Sequence, residues 1–391
     1  MADDISVLIV DDSALMRNLI GRMVEDTEGL VVADKAMNGK FAFQKIPRVN
    51  PDVIVLDLEM PEMNGIEFLK ERKKQDIKIP VVILSSIAAR GAEITMEALS
   101  LGASDFIQKP SGSISDDIHT VKDTLVGMLL GYGRQYRRIY GKKTATIDHT
   151  VKPQTKIGLA TPAYPQAANP QSRFVKSADS FSFAPPVIAK PRPPLRKPGK
   201  TDIIAIGIST GGPDALRIVF SKLDADLKIP IVVVQHMPPG FTLEFARSLD
   251  RICSLEVKEA EEGDSIRPGR ALIAQGNKHL EVEKCPHGSI VHLTDAPLVS
   301  GHRPSVDVLF ASVAKWYGNH ALGVIMTGMG RDGAEQIGEI YKEGGLTLGQ
   351  DEASSVVYGM PRVAFEMGYV QEQVPLQNMA RRICDLAKTP R

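Results

Sequence analysis

Ser209 stands in a Gly-x-Ser-x-Gly stretch, Gly207 to Gly211 within "IIAIGISTGGPDAL" (203–216), between an apolar run and a helix that can begin at Pro213. A serine there could belong to a tight turn, a phosphate cradle or a nucleophile lifted out of a sheet by a sharp strand-to-helix turn. A nucleophilic serine needs a base, and the base needs a group to orient it. Of the eight histidines, His236 directly follows "IPIVVVQ", at the carboxyl end of the next strand and so on the same rim as Ser209. Asp332 follows "ALGVIMTGMGR" in a Gly-rich loop beyond another strand. His302 and Asp307 in "GHRPSVD" compete for the roles of base and orienter. His279, His287, His292 and His320 fall in hairpin or helix segments, where structural roles are expected.

A second set of reactive groups lies nearer the N-terminus. Asp11 and Asp12 follow the first apolar run, Asp57 the third, Ser85 or Ser86 the fourth and Lys109 the fifth. Ligands of an open parallel sheet bind outside the carboxyl ends of its strands, which gathers these residues at one place. Three clustered carboxylates repel one another unless a cation neutralises them, and an all-oxygen site with open positions suits Mg²⁺. Lys109 adds a point charge for a phosphoryl oxygen. Each aspartate alone could be a helix cap, but together with Lys109 they read as a phosphate-accepting site.

The elements that must hold these groups are short apolar strands alternating with helical patterns. "SVLIVDD", "LVVADKA", "DVIVLDLEMP", "PVVILSS" and "DFIQKP" are the strands of the N-terminal part. Helices are expected after the first two, over 65–74, over 92–101 and after Ser115. After about residue 200 the same alternation returns with "DIIAIGI", "IPIVVVQH", "RALIAQG" and "ALGVIMTG", plus a β-hairpin in "HLEVEKCPHGSIVHLTD". Strands apolar on both faces with helical crossovers predict α/β domains with parallel sheets. The N-terminal one is expected to be a flavodoxin-like five-stranded parallel sheet, the C-terminal one a doubly wound sheet with a hairpin. Between them, residues 141–200 hold 10 of the 26 prolines and lack apolar periodicity. That composition predicts a Pro-rich linker, basic and solvated at its end. The expected domains are therefore 1–140, with a terminal helix, and 201–391.

Bulk properties narrow the function classes. The chain has 391 residues, enough for two or three domains. Acidic and basic residues balance at 47 each, so nothing global favours nucleic acid or an anionic membrane. No apolar run approaches the ~20 residues of a membrane span. The acidic N-terminus is unlike a secretory signal. Three scattered cysteines suit neither a disulfide framework nor a zinc site, and a cytoplasmic protein with incidental thiols is expected.

Residues 1 to about 125 resemble a two-component receiver domain through "VDDS", "DVIVLDLEMPEMNG", "VVILSS" and "GASDFIQKP". The resemblance implies phosphorylation of Asp57 by a histidine kinase, Mg²⁺ on Asp11, Asp12 and Asp57, and phosphate sensing by Ser85 and Lys109. Pro47 departs from the pattern and is expected to end the second helix early. Residues 201 to about 385 resemble the chemotaxis protein-glutamate methylesterases through "GISTGGP", "VVQHMPPGFT", "SGHRPSVDVLF", "MTGMGRDGA" and "DEASSVVYGMP". That likeness implies Ser209 as nucleophile, His236 as base and Asp332 as orienter. It implies receptor glutamate methyl esters and glutamines as substrates, and chemotaxis receptors as partners. The backbone N–H groups of Thr210 and Met329 are candidate oxyanion donors, and no cofactor is expected for the ester chemistry. An unphosphorylated receiver is expected to cover the Ser209 rim. The alternative is a receiver fused to a nucleotide- or anion-binding module with Gly207 to Gly212 as cradle. It lacks the lysine of a P-loop and the acidic residue of a dinucleotide fingerprint. A transcription regulator would need a basic recognition helix, which the C-terminal half does not offer.

Overall fold

The computed structural model describes residues 4–85, 89–109, 117–141, 193 and 195–388, with the side chains of 85, 89, 90 and 117–120 also outside the description. The Pro-rich stretch expected to be a linker lies almost wholly outside the described residues.

Apolar runs too continuous for a half-exposed sheet become strands covered on both faces. β1 (Ile5–Val10), β2 (Leu30–Ala36), β3 (Val53–Asp57), β4 (Val81–Ser85) and β5 (Asp105–Gln108) form one parallel sheet in the order β2-β1-β3-β4-β5. This is the flavodoxin-like order, which puts the ends of β1 and β3 side by side at the switch point. The crossovers are α1 (Ala14–Glu25), α2 (Gly39–Val49), α3 (Gly65–Lys74) and α4 (Ala89–Ser100), and α5 (Asp117–Tyr140) follows β5. Asn64 and Glu67 make a reciprocal capping box that fixes the start of α3. One expectation is corrected: α2 runs through Pro47 to Val49 and stops at left-handed Asn50. The proline removes one donor near the end of the helix, and the Asn50 N–H still closes the last turn on the Ile46 carbonyl at 2.8 Å. Buried Ala42 and Ile46 anchor that face of the helix.

The second sheet repeats the scheme. β6 (Ile203–Ile208), α6 (Gly212–Phe220), β7 (Ile231–Gln235) and α7 (Phe241–Asp250) lead into β8 (Glu256–Glu259), β9 (Ser265–Ile266) and β10 (Arg270–Ile273). β11 (His279–Cys285) and β12 (Gly288–Thr294) are the expected hairpin, turning at Pro286 and His287, and β9 pairs with β12. Then come α8 (Val306–Tyr317), β13 (Ala321–Ile325), α9 (Ile337–Lys342), β14 (Leu346–Gln350), α10 (Met360–Glu366), β15 (Glu372–Val374) and α11 (Leu376–Lys388). Seven parallel strands lie in the order β15-β14-β13-β6-β7-β10-β8. Thus β13, β6 and β7 are neighbours at the centre, and their carboxyl ends share one rim.

The two sheets belong to one compact unit, joined by a specific contact surface. Phe106 of β5 stacks on Phe241 of α7 with ring centres 4.9 Å apart and planes 11° from parallel. On α5, Gly131 meets Val356 so closely that a β-carbon there would overlap the Val356 carbonyl. All three cysteines are free thiols. Among the described residues no helix is long and apolar enough to cross a membrane.

Candidate active site and acidic site

The turn after β6 is built to expose a hydroxyl. Gly211 takes φ 81°, a left-handed conformation strained for any side chain, and Val356 and the Thr327 hydroxyl crowd the place where a β-carbon would be. Helix α6 starts at once, with Pro213 in its first turn. Thr327, fully buried after β13, ties this turn down: its hydroxyl donates to the Thr210 carbonyl (2.9 Å) and accepts the N–H groups of Val356 and Val357 (3.1 Å each). Gln235 Nε2 donates to the carbonyls of Ser209 and His236, both at 3.0 Å, fixing the serine and histidine loops to each other.

Across that frame, His236 Nδ1 lies 3.0 Å from Ser209 Oγ, and His236 Nε2 lies 2.7 Å from Asp332 Oδ2. An ionised carboxylate can only accept, so it fixes the proton on Nε2 and leaves the Nδ1 lone pair for the serine hydroxyl. The two nitrogens thus have the reverse of their roles in the chymotrypsin-type triad. Asp332 is 1% exposed, yet every demand of its charge is met. Besides His236, its carboxylate accepts the Ser305 hydroxyl (2.7 Å) and the backbone N–H groups of Val306 (2.7 Å) and Asp307 (3.1 Å) at the start of α8. Burial alone would raise its pKa, but the His236 contact and these donors together hold it below the ordinary carboxylate range.

The competing pair, His302 and Asp307, is present but placed differently. The His302 ring stacks on His236. Among the described residues Asp307 makes no hydrogen bond to the His236 imidazole; its carboxylate accepts the Ser300 hydroxyl (3.0 Å), and burial and then the Asp332 charge raise its pKa. Of the other histidines, buried His279 bridges the Pro297 carbonyl and the Ser305 N–H, His292 pairs with Glu262, and His320 pairs with Asp202.

Thr210 and Met329 both line a cavity of about 580 Å³ together with Ser209 and His236. Neither of their backbone N–H groups donates a hydrogen bond among the described residues. The far wall of this cavity belongs to the first domain, through Val121 and Met128 of α5 and residues of β5. Asp105 of β5 reaches furthest: its Oδ2 accepts the Gly211 N–H at 2.7 Å, two residues past the serine. Fully buried, that carboxyl is raised by desolvation to about 7, against the lowering effect of the Gly211 and Phe106 N–H groups.

At the rim of the first sheet, Asp11, Asp12 and Asp57 each offer an oxygen within 4.8 Å of the others. Lys109 Nζ lies 2.6 Å from Asp57 Oδ2 and 3.4 Å from Asp11 Oδ2. Burial raises the pKa of both Asp11 and Asp57, outweighing Lys109. Burial also opposes the Lys109 charge, but the two carboxylates win and raise it. β4 ends at Ser85, whose side chain lies outside the described residues, as does Ser86.

Sequence reasoning missed Ser305, Thr327, Gln235 and Asp105. Ser305 carried a signal, a serine before an apolar helix; it stands at the N-cap position of α8, but its hydroxyl donates to Asp332, whose carboxylate accepts the first N–H groups of the helix in its place.

Comparison with known proteins agrees with this architecture. The CheB methylesterase family matches residues 204–383, and the response regulator receiver domain family matches residues 7–120. A protein from Treponema denticola named protein-glutamate methylesterase/protein-glutamine glutaminase is 61% identical over 97% of this chain and 98% of its own length. Its namesake from Treponema pallidum is 51% identical over 97% of this chain and 96% of its own. The solved CheB methylesterase catalytic domain of Thermotoga maritima is 36% identical, with a TM-score of 0.47, over 48% of this chain and 98% of that one. The chain belongs to the CheB methylesterase family, in the form whose esterase domain follows a response regulator receiver domain.

Proposed function

We propose that the chain acts as a protein-glutamate methylesterase and protein-glutamine glutaminase through Ser209, His236 and Asp332, controlled by phosphorylation of Asp57. The observation that carries this is the continuous chain of contacts, 3.0 Å from serine to imidazole and 2.7 Å from imidazole to carboxylate, opening on a cavity. His236 Nδ1 removes the hydroxyl proton as Ser209 Oγ attacks the γ-carbonyl of a methylated glutamate on a chemotaxis receptor. The tetrahedral oxyanion is held by the Thr210 and Met329 N–H groups, each such donor being worth ~3 kcal/mol of barrier. Imidazolium, steadied by Asp332, returns the proton to the leaving oxygen, and methanol departs. Water repeats the sequence on the acyl-serine, giving the glutamate carboxylate and free Ser209. A receptor glutamine follows the same course with ammonia as leaving group. The site of action is the cytoplasm.

The receiver supplies control. Its acidic residues fit a divalent cation: Asp11, Asp12 and Asp57 each offer an oxygen within 4.8 Å of the others, and buried Asp11 Oδ2 has only the 3.4 Å ion pair with Lys109 to offset it. Asp11, Asp12 and Asp57 would hold Mg²⁺, which when bound offsets the charge of phosphoryl oxygens. Lys109 and Ser85 would take the remaining oxygens of a phosphoryl group delivered by a histidine kinase. One short strand links the two sites. β5 carries Asp105 and Phe106 against the esterase, and Lys109, which grips Asp57, follows it directly. Moving Lys109 from Asp57 to a phosphoryl group would shift this strand and loosen the docked state, uncovering Ser209. A bias of ~1–3 kcal/mol is enough for such a switch.

Release of methanol from methylated receptor membranes tests the reading. Wild type should release it faster with a phosphodonor, and Ser209→Ala should release none in either condition. Undiminished release by Ser209→Ala would refute the assignment.

A further inference from the structure

His302 is a half-buried imidazole beside the reacting groups to which the mechanism above gives no role. Its ring lies parallel to that of His236, with centres 3.8 Å apart and planes 15° from each other. The chain holds it there from both sides. Ser300 and Gly301 take φ 52° and 80°, the two left-handed residues of a tight hairpin turn, and Val299 and His302 exchange backbone hydrogen bonds of 3.1 and 2.9 Å. Directly after it, the Arg303 guanidinium is clamped by Asn277 Oδ1 and the carbonyls of Asp295 and Ala296. Three residues on, Ser305 binds Asp332. One stretch therefore supports the flat face of His236 with one residue and its acceptor with the next few.

His236 needs this support. Its two nitrogens must point at Ser209 and Asp332 at once, and rotation about the Cβ–Cγ bond breaks both contacts together. We propose that His302 is a positioning residue for the reaction, whose aromatic face fixes the ring plane of His236 and so keeps Nδ1 aimed at the Ser209 hydroxyl. The role is that of a neutral ring. Burial first, and then the nearby His236 charge, push the His302 pKa down to about 4, so at neutral pH no second cation opposes the imidazolium formed during catalysis. The inference rests on Ser209 and His236 being nucleophile and base, and its test keeps the two apart.

The full-length protein, charged with a small-molecule phosphodonor, is assayed for methanol release across a range of receptor concentrations as wild type, His302→Ala, His302→Leu and His302→Phe. Labelling of Ser209 by a fluorophosphonate is followed in parallel, with Ser209→Ala as blank. Loss of the flat face in His302→Ala should lower kcat about tenfold to a hundredfold, since misplacement of a reacting group by ~1 Å can cost that much. KM should stay within about twofold, because a positioning residue does not hold the receptor. His302→Phe, flat but without nitrogens, should recover kcat to within about threefold of wild type, and the labelling rate should follow kcat through the series. Should the alanine variant fail to fold, His302→Leu replaces it, filling the volume without a flat face. Wild-type kcat in the alanine or leucine variant would overturn the proposal. So would a phenylalanine variant as slow as alanine, or a defect confined to KM, either of which would mean that the nitrogens of His302 meet the substrate. Activity persisting in Ser209→Ala would instead refute the underlying triad, whatever His302 does.

Discussion

Two sites in this chain sit at the same kind of place, the carboxyl rim of a parallel sheet, and treat buried carboxylates in opposite ways. In the esterase one aspartate, Asp332, receives four hydrogen-bond donors from its own chain, and its charge is held in place. In the receiver three aspartates face one another with one lysine between two of them, and burial pushes Asp11 and Asp57 towards protonation. The first site is internally complete. The second is under tension that an incoming cation and phosphoryl group would relieve. A catalytic group must have one orientation, so its surroundings satisfy it; a switch must have two states of similar free energy, so its surroundings leave something unsatisfied.

The largest effect should come from disturbing the completed site. Asp332→Asn keeps the shape but removes the charge that fixes the His236 tautomer, and kcat should fall by about 10⁴. Stopped-flow methanol release would measure it, and a loss below about tenfold would mean that the four donors are only a structural cap. At the switch, Asp57→Asn should leave basal hydrolysis intact and abolish stimulation by a phosphodonor, a change of about 5–150-fold in the stimulated rate. Comparable stimulation in the variant would separate the acidic cluster from control.

Between the two sites, Gly131→Ala sharpens the comparison. Alanine favours α5 itself by ~1 kcal/mol, but its methyl overlaps the Val356 carbonyl and wedges the domains apart. Hydrolysis without phosphodonor should rise about fivefold or more, while the phosphorylated rate changes little. An unchanged basal rate would show that docking does not restrain activity.

The smallest effect concerns pH. Docked Asp105 titrates near 7 against an ordinary value of 3.8. A raised acid pKa means that docking is strongest below about pH 3.8, weakens as pH rises from there to about 7, and changes little above. Stimulation by a phosphodonor should therefore shrink several-fold between about pH 5 and pH 7, as basal activity climbs, and level off above. Asp105→Asn should flatten that dependence. A wild-type slope in the variant would place the titrating group elsewhere.

Much of this was legible in the sequence because parallel sheets leave strong marks. β6, β7 and β13 read as apolar runs, and the residues just beyond them, Ser209, His236 and Asp332, inherited a common rim. The acidic cluster was legible for the same reason. Weaker marks were lost: β8 and β15 are short edge strands rich in Glu and Gln, which nothing separates from loop. Pro47 misled in the other direction, since a single lost hydrogen bond is outweighed by the buried face of α2. The supporting groups were illegible for a different reason. Ser305 and Thr327 act through contacts 27 and 117 residues away in sequence, and Asp105 through a contact 106 residues away with the other domain. Only the folded chain brings such pairs together. His302 and Asp307 were seen as rivals for the catalytic roles because the local pattern cannot tell a ring that bonds the nucleophile from one that stacks behind it.

The most direct test is to trap the covalent intermediate. The phosphorylated protein is mixed with a receptor peptide carrying a glutamate γ-methyl ester, quenched in acid within a turnover, digested and weighed by mass spectrometry. The peptide holding Ser209 should gain the mass of the receptor acyl group, in step with methanol release, and Ser209→Ala should show neither. Methanol released with no adduct on Ser209, or with the adduct on another residue, would contradict the account.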